Sequence, residues 1–428
     1  ALGMGCKEVM VSAPFMVLLY DRLFLSTSFA KAFNSKRLFY LCLASTWLIL
    51  FIYQLDDPRA DSVRFDAINL SVLDYMLTQM TVVTHYLHLS FWPHPLVIDN
   101  QDWPIIRELS PDIFLPSLVL GTLGVTTVWG VKRSAWWSFP GVWFFFILAP
   151  SSSFIPILTE IVAERRMYLP LIAVIVTVVF TADCLWERLI IRRKVLGTWG
   201  RRIPALMVIA MVIILSGLTM SRNRDYRSAI GIWQDTVNKR PGNFRAWENL
   251  GKAFSRQKMF SEAIKPLKEA LRLFPGDPDP EIYSSLGSVY SNLGRFDEAV
   301  IMHQKALKRQ PSNALSHYHL GNTFLKLNDL DNAEIAFRNA IRFKPELSRA
   351  QGNLGLVLML KGEYSEAEEH LATLIRLAPD KASSYQAMAE LRIIEGRKKE
   401  ALIMLKKALT LQPGRKDLEA RIADLTAP

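Results

Sequence analysis

Two textures divide the chain. Up to residue 221, long uncharged runs alternate with short basic segments; from 222 onward, charged and apolar residues interleave throughout. A helix that spans a bilayer takes about 20 mostly apolar residues. Runs near that length occupy residues 9–20, 38–55, 113–131, 135–158, 167–182 and 203–220, which predicts six crossings. Residues 71–92 are also largely apolar but include Asp74, His85 and His88, and Trp92 and Trp103 suit the headgroup level. That stretch reads as an interfacial or re-entrant helix inside an external loop, 56–112.

Basic residues assign the sides. Arg22, Lys31, Lys36 and Arg37 follow the first crossing, Lys132 and Arg133 the third, and Arg188, Arg192, Arg193, Lys194, Arg201 and Arg202 the fifth. With six crossings all three basic connections share one side, the cytoplasmic one. The Lys7 end, the 56–112 and 151–166 loops and the C-terminal half then lie on the other, periplasmic or lumenal, side. The chain opens on ALGMGCKEV, which reads as the tail of a longer apolar segment, so a missing N-terminal part is expected.

Beyond residue 221 the pattern repeats. Pro241, Pro275, Pro311, Pro345, Pro379 and Pro413 are spaced 34, 36, 34, 34 and 34 residues apart. Ala229, Ala263, Ala299, Ala333, Ala367 and Ala401 keep the same phase, as do Gly251, Gly287, Gly321 and Gly355, with Ala389 in the fifth place. Trp247-x2-Leu250-Gly251-x2-Phe254 is the opening of a tetratricopeptide repeat (TPR). Gly or Ala lets two antiparallel helices approach closely, and Pro ends the second. The predicted solenoid, 222–428, contains a half repeat at 226–243, repeats from about 244, 280, 314, 348 and 382, and a capping helix at 418–425.

Such arrays bind along a concave face lined by their first helices. Phase places Asn249, Lys252, His319, Asn322 and Asn353 on that face. A row of amides can clamp an extended peptide backbone, so these residues are the candidate peptide groove. Leu356, Met359, Leu360, Ile393 and Ile394 turn the face apolar further on.

Composition adds limits. The net charge of +11 is spread over both halves, so it marks no nucleic-acid patch and no nucleic-acid partner is expected. Cys6, Cys42 and Cys184 cannot build a disulfide framework. No phosphate-cradling glycine loop, CxxC pair or GxSxG elbow occurs, and His85, His88 and His94 lack carboxylates at ligand spacing. Neither a metal nor a cofactor is implied.

Candidate chemistry sits at the membrane edge. Lys7 and Glu8 head an apolar segment, where charge is costly unless paired or functional. Ala163-Glu164-Arg165-Arg166-Met167-Tyr168-Leu169-Pro170 heads the fifth crossing and puts two arginines on the side usually poor in them. Arginine there suits a phosphate, which it can bind in bidentate fashion. Trp92-Pro93-x2-Leu96-x2-Asp99 follows the interfacial helix.

Lys7-Glu8, then Leu18-Leu19-Tyr20-Asp21, then Glu164-Arg165-x2-Tyr168-Leu169-Pro170, then repeats directly after the last crossing, resembles the transmembrane-and-TPR-containing O-mannosyltransferase (TMTC) family and its bacterial relatives. The resemblance implies an all-α chain: a partial GT-C-like polytopic membrane domain, 1–221, followed by the TPR solenoid. It implies transfer of a sugar from a polyprenyl- or dolichyl-phosphate donor to a protein acceptor recruited by the repeats. Lys7, Glu8, Glu164, Arg165, Arg166 and Tyr168 become the expected lipid-phosphate pocket. Such enzymes keep their catalytic acidic residues in a first external loop upstream of these motifs, so catalytic residues within this chain stay unknown. Two other readings are a non-enzymatic membrane scaffold for envelope assembly and an envelope polysaccharide polymerase or ligase. The expected location is a membrane, the bacterial inner membrane ahead of that of the endoplasmic reticulum.

Overall fold

The computed structural model describes residues 12–26, 28–55, 71–100, 102–108, 110–152, 162–191, 199–274, 276 and 279–426, among which every regular element is a helix. The chain divides into two units, 1–243 and 244–428. The division falls at 243, so the expected half repeat, 226–243, makes its contacts within the first unit.

The first unit contains α1 (Ala13–Tyr20), α2 (Phe29–Ser35), α3 (Arg37–Leu55), α4 (Val72–Phe91), α5 (Pro111–Lys132), α6 (Phe139–Ser152), α7 (Pro170–Trp186), α8 (Trp199–Asp225) and α9 (Ala229–Lys239). Three described stretches, Pro111–Lys132, Pro170–Ile190 and Arg202–Asp225, are long and apolar enough to cross a membrane. The expected crossing at 135–158 corresponds to a shorter described helix, α6. Helix α4 starts at a capping box in which the Ser71 hydroxyl accepts from the Asp74 amide and the Asp74 carboxylate accepts from the Ser71 amide. It buries one face: Val82, Val83 and Tyr86 join Phe144 and Leu148 of α6 and Ala173 of α7 in one apolar cluster.

The second unit comprises α10 (Phe244–Arg256), α11 (Phe260–Leu273), α12 (Pro280–Asn292), α13 (Phe296–Arg309), α14 (Ala314–Lys326), α15 (Leu330–Phe343), α16 (Ser348–Lys361), α17 (Tyr364–Leu377), α18 (Ala382–Ile394), α19 (Lys398–Leu411) and α20 (Lys416–Thr426). These are five helix pairs and a cap. Within each pair the helices touch where the sequence has its small residue. A Cβ placed on Gly251 would lie 2.5 Å from Leu267, and one on Gly355 2.8 Å from Leu371. Only a residue without a side chain permits that approach while the facing Leu stays fully buried.

The turn inside each pair is also periodic. Lys258, Gly294, Asn328, Gly362 and Gly396 all have positive φ, from 59° to 83°. Each is followed by a backbone hydrogen bond that closes the first helix: Met259 to Phe254, Arg295 to Tyr290, Asp329 to Phe324, Glu363 to Leu358 and Arg397 to Arg392. This is the left-handed helix stop, favourable for Gly and tolerable for Asn. Lys258 adopts it at φ 62° with a side chain that gains nothing from it. Lys258→Gly is therefore expected to raise stability by about 1 kcal/mol, read as a higher denaturation midpoint of the repeat unit. The same replacement at Lys265, in the middle of α11, should lower it by about the same amount.

Candidate functional sites

The first site is the turn between the described residues of the 151–166 loop and α7. Glu164–Met167 forms one helical turn there, and α7 starts with Pro170. Three neighbours hold it. The Ala163 amide donates to the Tyr86 hydroxyl oxygen of α4 at 2.7 Å. The Val97 amide donates to Glu164 Oε1 at 3.1 Å. Trp143 Nε1 of α6 donates to the Leu169 carbonyl at 3.0 Å.

The loop that meets Glu164 is itself anchored. Trp103 Nε1 donates to Thr81 Oγ1 at 3.1 Å and the Ile106 amide to Thr78 Oγ1 at 3.0 Å, folding 93–107 back on α4. On its other flank Lys239 Nζ donates to the Leu96 carbonyl at 3.1 Å, Asn243 Nδ2 donates to the Asp99 carbonyl at 3.0 Å, and the Arg240 guanidinium lies over the Trp103 ring. This interlocking is why 226–243 stays with the first unit. Asp235 accepts from Arg222 at 2.5 Å and from Lys239 at 2.8 Å, closing the α8–α9 corner.

Burial pushes the Glu164 carboxyl up from the ordinary range, while the Val97 amide, the Asn100 side chain and the charges of Arg222 and Lys239 pull it down. Glu164 thus ties the turn to the 97–100 loop. Arg166 is half-buried, its charge felt by the Tyr86 hydroxyl, and Tyr168 is 77% exposed. Lys7, Glu8 and the Arg165 side chain lie outside the described residues, as do 56–70 and 192–198. Asp21, part of the first motif, is buried and accepts from Lys36 Nζ at 3.0 Å and from the Tyr40 hydroxyl, an anchor that the motif's spacing does not announce. Among the described residues no three His, Cys, Asp or Glu side chains gather as metal ligands.

The second site lies on the repeats. Asn353 Nδ2 donates to Asn322 Oδ1 at 2.6 Å, so these two predicted face residues are joined. Asn249 is half-buried on α10. Lys252 is engaged by Glu248 at 2.6 Å and Glu281 at 2.7 Å. His319 stacks on His303 with ring centroids 6.0 Å apart. A groove of about 420 Å³ runs over α16 and α18, with Tyr318 of α14, Asn353 and Leu356 on one side and Ala387 and Glu390 on the other. Of the five predicted groove residues, Asn353 alone lines it. Arg349 and Lys381, which the repeat phase did not single out, line it too.

Antiparallel helix pairs recurring at 34 residues, each closed by a small residue against a buried partner, define a TPR protein. A tetratricopeptide-repeat family model matches residues 217–278, and the model of the cilia and flagella-associated protein 70 middle TPR-like domain matches 283–412. The chain is similar to O-mannosyl-transferases of the TMTC group. It is 25% identical over 152 residues to Protein O-mannosyl-transferase TMTC3 of Mus musculus, covering 35% of this chain and 15% of that protein. With Protein O-mannosyl-transferase Tmtc3 of Drosophila melanogaster it shares 26% over 174 residues, 40% of this chain and 18% of that one. The chain thus spans only a small part of the length of these relatives. Among solved structures it is similar to a thermophilic TPR protein of Thermus thermophilus, with 26% identity, a TM-score of 0.38, and coverage of 43% of this chain and 98% of that one.

Proposed function

We propose that this chain is part of a membrane glycosyltransferase of GT-C type, which moves a sugar from a polyprenyl- or dolichyl-phosphate donor to a protein acceptor recruited by the repeats. The observation that carries the reading is the 163–170 turn, fastened on three sides at the head of a long apolar helix, in a chain similar to O-mannosyl-transferases. A fastened turn holds its backbone and the Glu164 carboxylate in place before a ligand arrives, which favours binding a phosphate group at the headgroup level. The exposed apolar side chains of α8, such as Ile213 and Met220, suit contact with lipid. In this reading Lys7, Glu8, Glu164, Arg165, Arg166 and Tyr168 form the donor pocket, with Glu164 setting its shape and Arg165 stabilising the departing lipid phosphate. The TPR unit lies on the periplasmic or lumenal side and presents the acceptor.

The test is transfer from a radiolabelled polyprenyl-phosphate mannose to a Ser/Thr peptide by the full-length protein in proteoliposomes. Arg165→Ala is expected to lower turnover by about a hundredfold or more, the scale of removing one donor to a developing anion. Turnover equal to that of the unsubstituted protein would discard the phosphate role of Arg165.

A further inference from the structure

The groove over α16 and α18 has a charge that its own fold does not neutralise. Arg349 opens α16 and Lys381 immediately precedes α18; both are exposed and both line the groove. Among the described residues neither makes an ion pair or a side-chain hydrogen bond. Three other cations of the first helices are committed: Lys252 to Glu248 and Glu281, Lys361 to Asp331 and Glu334, Arg392 to Glu368 and Glu395. The one carboxylate on the groove wall, Glu390, accepts from Arg421 at 2.9 Å and is already balanced.

Lys381 also stands where a different residue would stabilise the helix. At the equivalent position of two earlier repeats, Asp279 and Asn313 cap α12 and α14 by accepting from the amides of Glu281 and Ser316. Lys381 caps nothing. A cation before a helix start is unfavourable by itself, and the missing cap removes further stability.

The floor of the groove is apolar. Leu356 is 42% exposed and lies beside Met359, Leu374 and Ala387. Beside that floor, the Asn322–Asn353 pair leaves amide donors and acceptors for a passing main chain.

We infer that this groove is the part of the repeat face that takes the partner, and that its ligand is an extended peptide segment carrying an acidic side chain next to a bulky aliphatic one. The inference deepens the proposed recruiting role of the repeats and rests on it. The carboxylate meets Arg349 and Lys381, the aliphatic side chain covers Leu356, and the main chain continues past Asn353. The Asn249–Lys252 end contributes no binding, because Lys252 is already neutralised by two carboxylates. An internal acidic side chain fits better than a chain terminus, since the amide pair lies beside the apolar floor and needs a chain that runs on.

The experiment uses the full chain in detergent and an array of acetylated, amidated decapeptides with a Glu-Leu pair at successive positions, beside a matched Gln-Leu array. Amidation leaves the Glu side chain as the carboxylate under test. Retention of Glu-Leu over Gln-Leu peptides by about tenfold is expected, the scale of one charge-assisted contact, and it should fade with added salt. The double variant Arg349→Gln, Lys381→Gln should erase the preference, and Lys252→Gln should keep it. Arg349 and Lys381 are exposed, so an unchanged thermal midpoint of the double variant checks that its folding is intact, and an unchanged circular dichroism spectrum checks the half-buried Lys252 variant. Leu356→Arg should abolish retention altogether. Equal retention of both arrays, lost with Leu356→Arg, would overturn the acidic specificity while leaving the groove as a peptide site. Retention that survives Leu356→Arg, or no retention of any peptide, would overturn the groove itself.

Discussion

Phe337→Ala is expected to destabilise the repeat unit by about 3–5 kcal/mol, the largest single effect in this half of the chain. Phe337 of α15 is fully buried and belongs to the same apolar cluster as Leu354, Leu358 and Leu371. It also fills the space opposite Gly321, where a Cβ would lie 2.7 Å from its ring. Truncation leaves a cavity that Gly321 cannot fill, because that residue has no side chain to move. A solenoid is held together by contacts between neighbours, so a defect in a central repeat weakens the coupling between those on either side. Denaturation of the full chain in detergent should show a lower midpoint and a broader transition. Ile335→Ala, on the same helix at 58% exposure, is the control and should change stability by less than about 0.5 kcal/mol. A loss below about 1 kcal/mol for Phe337→Ala would mean that this helix pair does not pack as described.

The second large effect is a loss of stability in mild acid. His303 occupies the position that Leu267, Phe337, Leu371 and Leu405 hold in the other repeats, and it is fully buried with neither ring nitrogen hydrogen-bonded. Its ring packs against Gly287, where a Cβ would lie 2.8 Å away, and stacks on His319. Burial first, and the neighbouring His319 second, hold the His303 pKa down to about 3. Burial and Arg349 depress His319 as well. In the unfolded chain a histidine takes its proton near pH 6.5. Between there and pH 3 the unfolded chain binds a proton that the folded one refuses. Stability is therefore fully present above about pH 6.5 and falls as pH drops toward 3, by an amount on the order of a few kcal/mol. His303→Leu should flatten this part of the profile and raise stability at pH 7.5 by about 1–3 kcal/mol, because two unpartnered polar atoms leave the core. Midpoints at pH 7.5, 6, 5 and 4 for both proteins decide it, and parallel profiles would exclude His303 as the source.

Much of the repeat unit was legible in the chain. The 34-residue phase of Pro, Ala and Gly located each helix pair, because a close helix contact admits only small residues and a following proline cannot continue the helix. The same phase could not show that Lys258 and Asn328 share the left-handed turn with three glycines, since side-chain identity there is a preference and φ is a property of the folded turn. Nor could it rank the face residues. Asn249, Lys252, His319, Asn322 and Asn353 look equivalent by spacing, yet Lys252 is neutralised by two carboxylates and His319 packs on His303. Spacing does not reveal Arg349 and Lys381, because their value as groove residues lies in what fails to pair with them.

The first unit shows the same division. Apolar runs marked the helices of 1–221, and the 163–170 motif was visible as residues. What holds that motif was not: Glu164 meets an amide 67 positions earlier, Ala163 meets Tyr86, and Lys239 and Asn243 fasten the loop between them. By itself, then, the sequence determined a helical chain with apolar helices followed by a TPR solenoid, since hydrophobic period and small-residue spacing are local properties of the chain. Only the tertiary structure decided that 226–243 fastens the 96–103 loop, that Glu164 is a tie, and that one groove keeps two cations unneutralised. Each of these depends on which distant groups pair and which are left over, and pairing is settled when the chain is packed.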